Sequence, residues 1–106
     1  MPASMLTETL ALVGEIDLHR SPEVKELLTP LVERKAPRIL LDLSGVNYID
    51  SSGLAVLIEA LQRVLSYGGQ LGIFGLQESV KSIFEIARLD QVFQIFRDEE
   101  AALAAR

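Results

Sequence analysis

Tyr48-Ile49-Asp50-Ser51-Ser52-Gly53-Leu54 is the stretch on which the fold turns, because an apolar strand-like run ends in it and a helical period begins directly after it. Upstream, Arg38-Ile39-Leu40-Leu41-Asp42-Leu43 has the length and near-continuous aliphatic character of a strand buried on both faces. Downstream, Leu54, Leu57, Ile58, Leu61, Val64 and Leu65 recur at the spacing of one helix face, an apolar stripe along about four turns. Asp50 and Ser51 both stand where a helix N-cap belongs. An N-cap oxygen accepts from the N–H of the second or third helical residue, and Asp and Ser are both suited to it. The same free N–H groups and the positive end of the helix dipole also favour an anion, so a phosphoryl group on Ser51 fits that place too. Spacing alone favours the cap, because caps are far commoner than phosphosites. Gly53 reads as leaving the backbone open to a close-approaching partner.

Working outward, Tyr67-Gly68-Gly69 stops the second helix and Gln70 to Phe74 makes a short strand. Val80, Ile83, Phe84 and Ala87 form the face of a third helix, Val92 to Phe96 a last strand, and Asp98-Glu99-Glu100 the acidic start of a short final helix. Toward the N-terminus, Ser21-Pro22-Glu23 opens the first helix with a capping hydroxyl, Pro in the first turn and an acid behind it. Its predicted buried face is Val24, Leu27, Leu28 and Leu31, and Pro30 predicts a kink or an early end. Arg34-Lys35-Ala36-Pro37 closes that segment. Before it, Glu8 to Val13 reads as a strand, with room for a short edge strand around Pro2, Ala3 and Ser4. The alternation of strand and helix predicts an α/β fold: a mixed, mostly parallel sheet of four to five strands packed against about four helices, with an antiparallel edge pair left open.

The chain has 106 residues and reads as a single domain over 1–106, long enough to bury about two-thirds of its unfolded surface. Its 49% hydrophobic and 24% charged residues are those of an ordinary globular protein. A net charge of -5 argues against a general binder of nucleic acid or anionic membrane, both of which need clustered Lys and Arg. With no cysteine there is no disulfide framework and no thiolate site. Neither a signal peptide nor an apolar run long enough to span a membrane is present, so a cytoplasmic protein is expected.

Enzyme chemistry finds little to stand on. Ile49-Asp50-Ser51-Ser52-Gly53 lacks the first glycine of the Gly-x-Ser-x-Gly elbow, and the single histidine, His19, precedes the serine. Gly69, Gly72 and Gly75 form no phosphate loop. One His and no Cys make no zinc site, and no cofactor is expected. The remaining metal candidate is a Mg2+ ion between Asp17, Asp42 and Asp50, though Asp42 reads better as a strand-edge residue. Val56 and Ala60 project off the apolar stripe, on the side of Arg63 and Tyr67. They read equally as an outward docking patch beside Ser51 or as a pair under a covering loop.

Gly14-Glu15-Ile16-Asp17, Leu41-Asp42-Leu43-Ser44-Gly45-Val46 and Ile49-Asp50-Ser51-Ser52-Gly53-Leu54 together resemble the STAS domain family, and within it the bacterial anti-sigma factor antagonists. Ser79 to Phe84 and Leu89 to Phe96 are similar to the family's C-terminal half. The resemblance implies partner switching. The unphosphorylated antagonist binds an anti-sigma factor that is also a serine kinase, phosphorylation releases it, and a phosphatase resets it. It implies phosphorylation at Ser51 and partner binding by Asp17, Asp50, Ser52 and Gly53, with Val56 added from its place on the helix. Two alternatives within the family are a non-phosphorylated scaffold subunit of a transporter or signalling assembly, and a nucleotide-binding protein. The chain departs from the pattern in its short N-terminus before Glu8 and in Pro30.

Overall fold

The structure, a computed structural model, describes residues 7–105. Residues 7–16 form β1 (Thr7–Ile16), followed by α1 (Ser21–Glu33), β2 (Arg38–Ile49), α2 (Ser51–Ser66), β3 (Gln70–Phe74), α3 (Glu78–Ile86), a turn of 3-10 helix at Leu89–Gln91, β4 (Gln94–Phe96) and α4 (Glu99–Ala104). The four strands lie in the order β1-β2-β3-β4, and every pair is parallel. The α/β class and the helical crossovers stand as expected, whereas no antiparallel pair occurs among the described residues. The edge strand considered at Pro2 to Ser4 lies outside them.

One face of the sheet carries the main core. Leu12, Ile16, Ile39, Leu41, Leu43, Leu71 and Ile73 meet Val24 and Leu28 of α1, Leu57, Leu61 and Val64 of α2, and Val80 and Phe84 of α3. Phe84 stacks edge-on against Phe93, ring centres 5.8 Å apart at 68°. On the opposite face Leu40 and Phe74 are covered by Ala102 of α4, and the Arg38 guanidinium donates to the Ala102 carbonyl at 2.6 Å.

The boundaries differ from the predicted ones for physical reasons. β1 runs on to Ile16 because its pairing with β2 continues to Ile16 and Ile49 through irregularities at Ala11/Val13 and Gly14/Glu15, and Gly14 takes a φ of +81° that a side chain would resist. α1 passes through Pro30 without ending, since Pro30 is exposed and its ring faces water rather than the core. Ser21 is no cap: it is buried and its hydroxyl donates to the Leu18 carbonyl. α1 has no side-chain cap, and Asp17 holds the turn that leads into it, as described below. Leu27, Leu65 and Ala87 leave their predicted buried faces and are exposed, and the last strand, expected from Val92, begins only at Gln94.

α1 ends in a Schellman arrangement: the Ala36 N–H donates to the Leu31 carbonyl and the Lys35 N–H to that of Val32, both at 3.0 Å. Lys35 holds the left-handed conformation this needs, φ 55°. A non-glycine residue there is strained, so Lys35→Gly is expected to raise stability by about 0.5–1 kcal/mol, read as a higher denaturant midpoint at unchanged slope. α2 ends the same way with Gly68 at φ 84°, and the Tyr67 hydroxyl donates to the Ala36 carbonyl at 2.7 Å.

Arg34 reaches β1 and forms a two-pronged ion pair with Glu8, its Nε 2.9 Å from Glu8 Oε2. That hydrogen bond holds the Glu8 carboxyl below its usual range. A lowered folded-state value contributes stability above the ordinary carboxylate range and loses it as pH falls through the folded value. The pair is exposed, so the effect is small and screened by salt. Glu8→Gln is expected to flatten the acid limb of stability against pH in urea titrations between pH 7 and 3, and to change little at neutral pH in high salt.

Candidate functional site

The site is the turn from β2 into α2 together with the loop that follows β1. Parallel neighbours bring the two to the same end of the sheet: Ile16 pairs with Ile49, and the next residue of β2's chain, Asp50, donates its N–H to the Ile16 carbonyl at 3.2 Å. Asp50 has extended backbone, φ -107° and ψ -174°. Its Oδ1 accepts from the N–H groups of Ser52 at 2.9 Å and Gly53 at 3.1 Å. Two of the donors at the helix start are thereby satisfied. Asp50 Oδ2 turns the other way and accepts from the Leu18 N–H at 3.2 Å.

This resolves the choice left open by spacing. Asp50 is the cap, and Ser51 is the first residue of α2, exposed, its hydroxyl making no hydrogen bond among the described residues. A free hydroxyl stands at the positive end of a helix of 16 residues. Ser52 is half-buried beside it.

Gly53 has a role other than the predicted one. It is buried, and a Cβ built on it would lie 2.5 Å from the Ile16 carbonyl oxygen and 2.8 Å from side-chain carbons of Ile16 and Ile49. The close approach that requires glycine comes from this chain's own β1, so Gly53 seats α2 on the sheet and is closed to an outside partner.

Asp17 shapes the loop. Its Oδ1 accepts from the N–H groups of His19 and Arg20, both at 3.0 Å, and its carbonyl accepts from Ser21 at 2.8 Å. The chain is turned into α1 by this side chain rather than by Ser21. Arg20 ties the loop back to the strand: its Nη1 donates to the carbonyls of Val13 at 3.0 Å and Glu15 at 3.3 Å, while its Nε pairs with Glu23 at 2.7 Å. Leu18 stands between these anchors with 67% of its surface exposed. Neither Leu18 nor Arg20 drew notice in the sequence. The one signal was an aliphatic residue set among Asp17, His19 and Arg20.

Asp42 stands apart from this constellation. Its Oδ1 accepts from the Ser44 N–H at 2.9 Å and hydroxyl at 2.7 Å, an internal turn within β2. The Mg2+ candidate fails: no group of three acids, histidines or cysteines able to hold a metal occurs among the described residues. Val56 and Ala60 do not form an outward patch beside Ser51. Ala60 is buried and Val56 half-buried, and they line a cleft with Leu28 and Val32 of α1, spanned by the Lys25–Glu59 ion pair at 3.4 Å. What covers them is a helix rather than a loop. The flank of α2 that carries Ser51 holds Leu54 and Ile58, both half-buried, and Leu65, 57% exposed.

Comparison with known proteins places this small parallel sheet, with three helices on one face, in a family. The STAS domain profile matches residues 7–102, and the chain belongs to the STAS domain family. Among individual proteins it is 33% identical over 92 residues to the anti-sigma-B factor antagonist of Bacillus subtilis, covering 87% of this chain and 84% of that one. The crystal structure of an anti-sigma factor antagonist from Mycobacterium paratuberculosis superimposes with a TM-score of 0.85 at 22% identity, over 92% of this chain and 83% of that one. The phosphorylated form of the Bacillus cell fate determinant SpoIIAA does so with a TM-score of 0.72 at 18% identity, over 100% and 96%. No helix among the described residues is long and apolar enough to cross a membrane.

Proposed function

We propose that this chain is an anti-sigma factor antagonist that works by partner switching. Acting as one STAS domain in the cytoplasm, it binds an anti-sigma factor serine kinase while Ser51 carries a free hydroxyl. Phosphorylation of Ser51 by that kinase releases it, and a phosphatase restores it. Its role is regulatory rather than enzymatic. The observation that carries this reading is the division of labour at the start of α2: Asp50 takes the whole capping function, leaving Ser51 exposed with its hydroxyl uncommitted. The names of its relatives support the same reading.

The geometry supports a mechanism for the proposed switch. A phosphoryl group brings about -1.5 to -2 charges at pH 7. At a helix N-terminus that charge is tolerated by the chain itself, so the change falls on the interface. A partner surface shaped around a neutral hydroxyl must then bury a bulky dianion without donors for it. Ser51 and Ser52 are the residues offered to the partner. Asp17, Asp50 and Gly53 hold the surface in shape, and Val56, turned toward α1, contributes from beneath. The test is calorimetric titration of the serine-kinase anti-sigma factor from the same genome with this chain before and after phosphorylation. Binding before and loss of binding after is the expected pair; equal binding by both forms would refute the switch.

A further inference from the structure

We propose that Asp50 is a positioning residue that holds Leu18 in register with Ser51, so that the partner reads the serine and the leucine as one surface and reads Asp50 only through them. The proposal rests on the partner-switching reading and names what, besides Ser51, that partner recognises: an exposed aliphatic side chain, which calls for an apolar socket next to the hydroxyl's site.

Three observations lead here. The Asp50 carboxylate is already occupied, with Oδ1 accepting from Ser52 and Gly53 and Oδ2 from Leu18. A carboxylate has about four acceptor positions, so little of this one is left for a partner. Second, Leu18 is exposed although the backbone around it is held on every side. Asp17 fixes the amides that follow it, Ser21 donates to the Leu18 carbonyl, and Asp50 takes the Leu18 N–H itself. A large aliphatic side chain on a rigid turn is preorganised for burial, which lowers the ordering cost of binding. Third, among the described residues, Asp50 is the one side chain hydrogen-bonded to both the start of α2 and the Leu18 turn.

Asp50→Asn and Asp50→Ser separate the two functions of the carboxylate. Each keeps an oxygen able to cap α2, and each lacks the second oxygen that accepts from Leu18. In the isolated chain, amide exchange followed by NMR is expected to quicken about tenfold at Leu18, the loss of a hydrogen bond to a charged acceptor, while the amides from Leu57 to Val64 keep their wild-type rates. The second measurement is a double-mutant cycle in binding to the cognate serine-kinase anti-sigma factor. Leu18→Ala is expected to weaken binding about tenfold, and adding Asp50→Ser to it to weaken binding further by less than about twofold. Unchanged exchange at Leu18, or two losses that multiply, would overturn the proposal. If the wild-type chain fails to bind the kinase at all, partner switching itself falls and takes the recognition of Leu18 with it, whereas the exchange data still decide whether Asp50 holds the turn.

Discussion

Gly53→Ala is expected to unfold about 15 °C below the wild-type chain, a loss on the order of 3 kcal/mol for a domain of this size. On helix propensity alone the change should help, because alanine in a helix is favoured over glycine by about 1 kcal/mol. The local environment reverses the sign. The added methyl would stand 2.5 Å from the Ile16 carbonyl oxygen and 2.8 Å from carbons of Ile16 and Ile49. None of these neighbours is free to yield, since Ile16 and Ile49 are fully buried and the Ile16 carbonyl accepts the Asp50 N–H. α2 would have to lift away from the sheet, loosening Leu57 and Leu61 with it. Thermal unfolding followed by circular dichroism measures the effect directly. A variant as stable as wild type would mean that α2 is not seated through Gly53.

Phosphorylation of Ser51 is expected to weaken binding to the kinase partner by two orders of magnitude or more, about 3 kcal/mol or above, while leaving the fold as it is. The magnitude follows from placing a dianion in an interface that lacks donors for it, which costs several kcal/mol. Within the chain the same charge meets the positive end of α2, an interaction of about 0.3–1 kcal/mol in the stabilising direction. The acids of this end temper that gain, because Asp50 already occupies the Ser52 and Gly53 amides. Circular dichroism and amide exchange of the purified phosphoprotein should therefore match the unmodified chain along α2. Melting of α2 on phosphorylation would show that the switch acts by unfolding, contrary to this account.

Much of the architecture was legible because the sequence changes period at one point. Arg38 to Leu43 is aliphatic with no helical spacing, and Leu54 onward repeats at helical spacing, so the β2–α2 junction and the alternating order around it could be read directly. The family resemblance lay in the same residues. What escaped was set by tertiary contacts. Spacing could not separate Asp50 from Ser51 as the cap, since both residue types serve; backbone dihedrals and hydrogen bonds assign it. Nor could it tell that α1 lies along one flank of α2, which moves Val56 and Ala60 inward and leaves Leu65 on the exposed flank. Pro30 predicts a kink or an early end, yet α1 runs on to Glu33 with Pro30 on its solvent side. In the sequence Gly53 reads as an opening for a partner, because glycine permits close approach from either direction. Only the position of the Ile16 carbonyl shows which.

The measurement that bears most directly on the central claim is intact-mass analysis of the chain after incubation with ATP and the serine-kinase anti-sigma factor of its own genome, run beside Ser51→Ala. Addition of one phosphate to wild type and none to the variant is the predicted result. A phosphate retained in Ser51→Ala, or no phosphate on wild type from a kinase that binds it, would contradict the assignment of Ser51 as the switch.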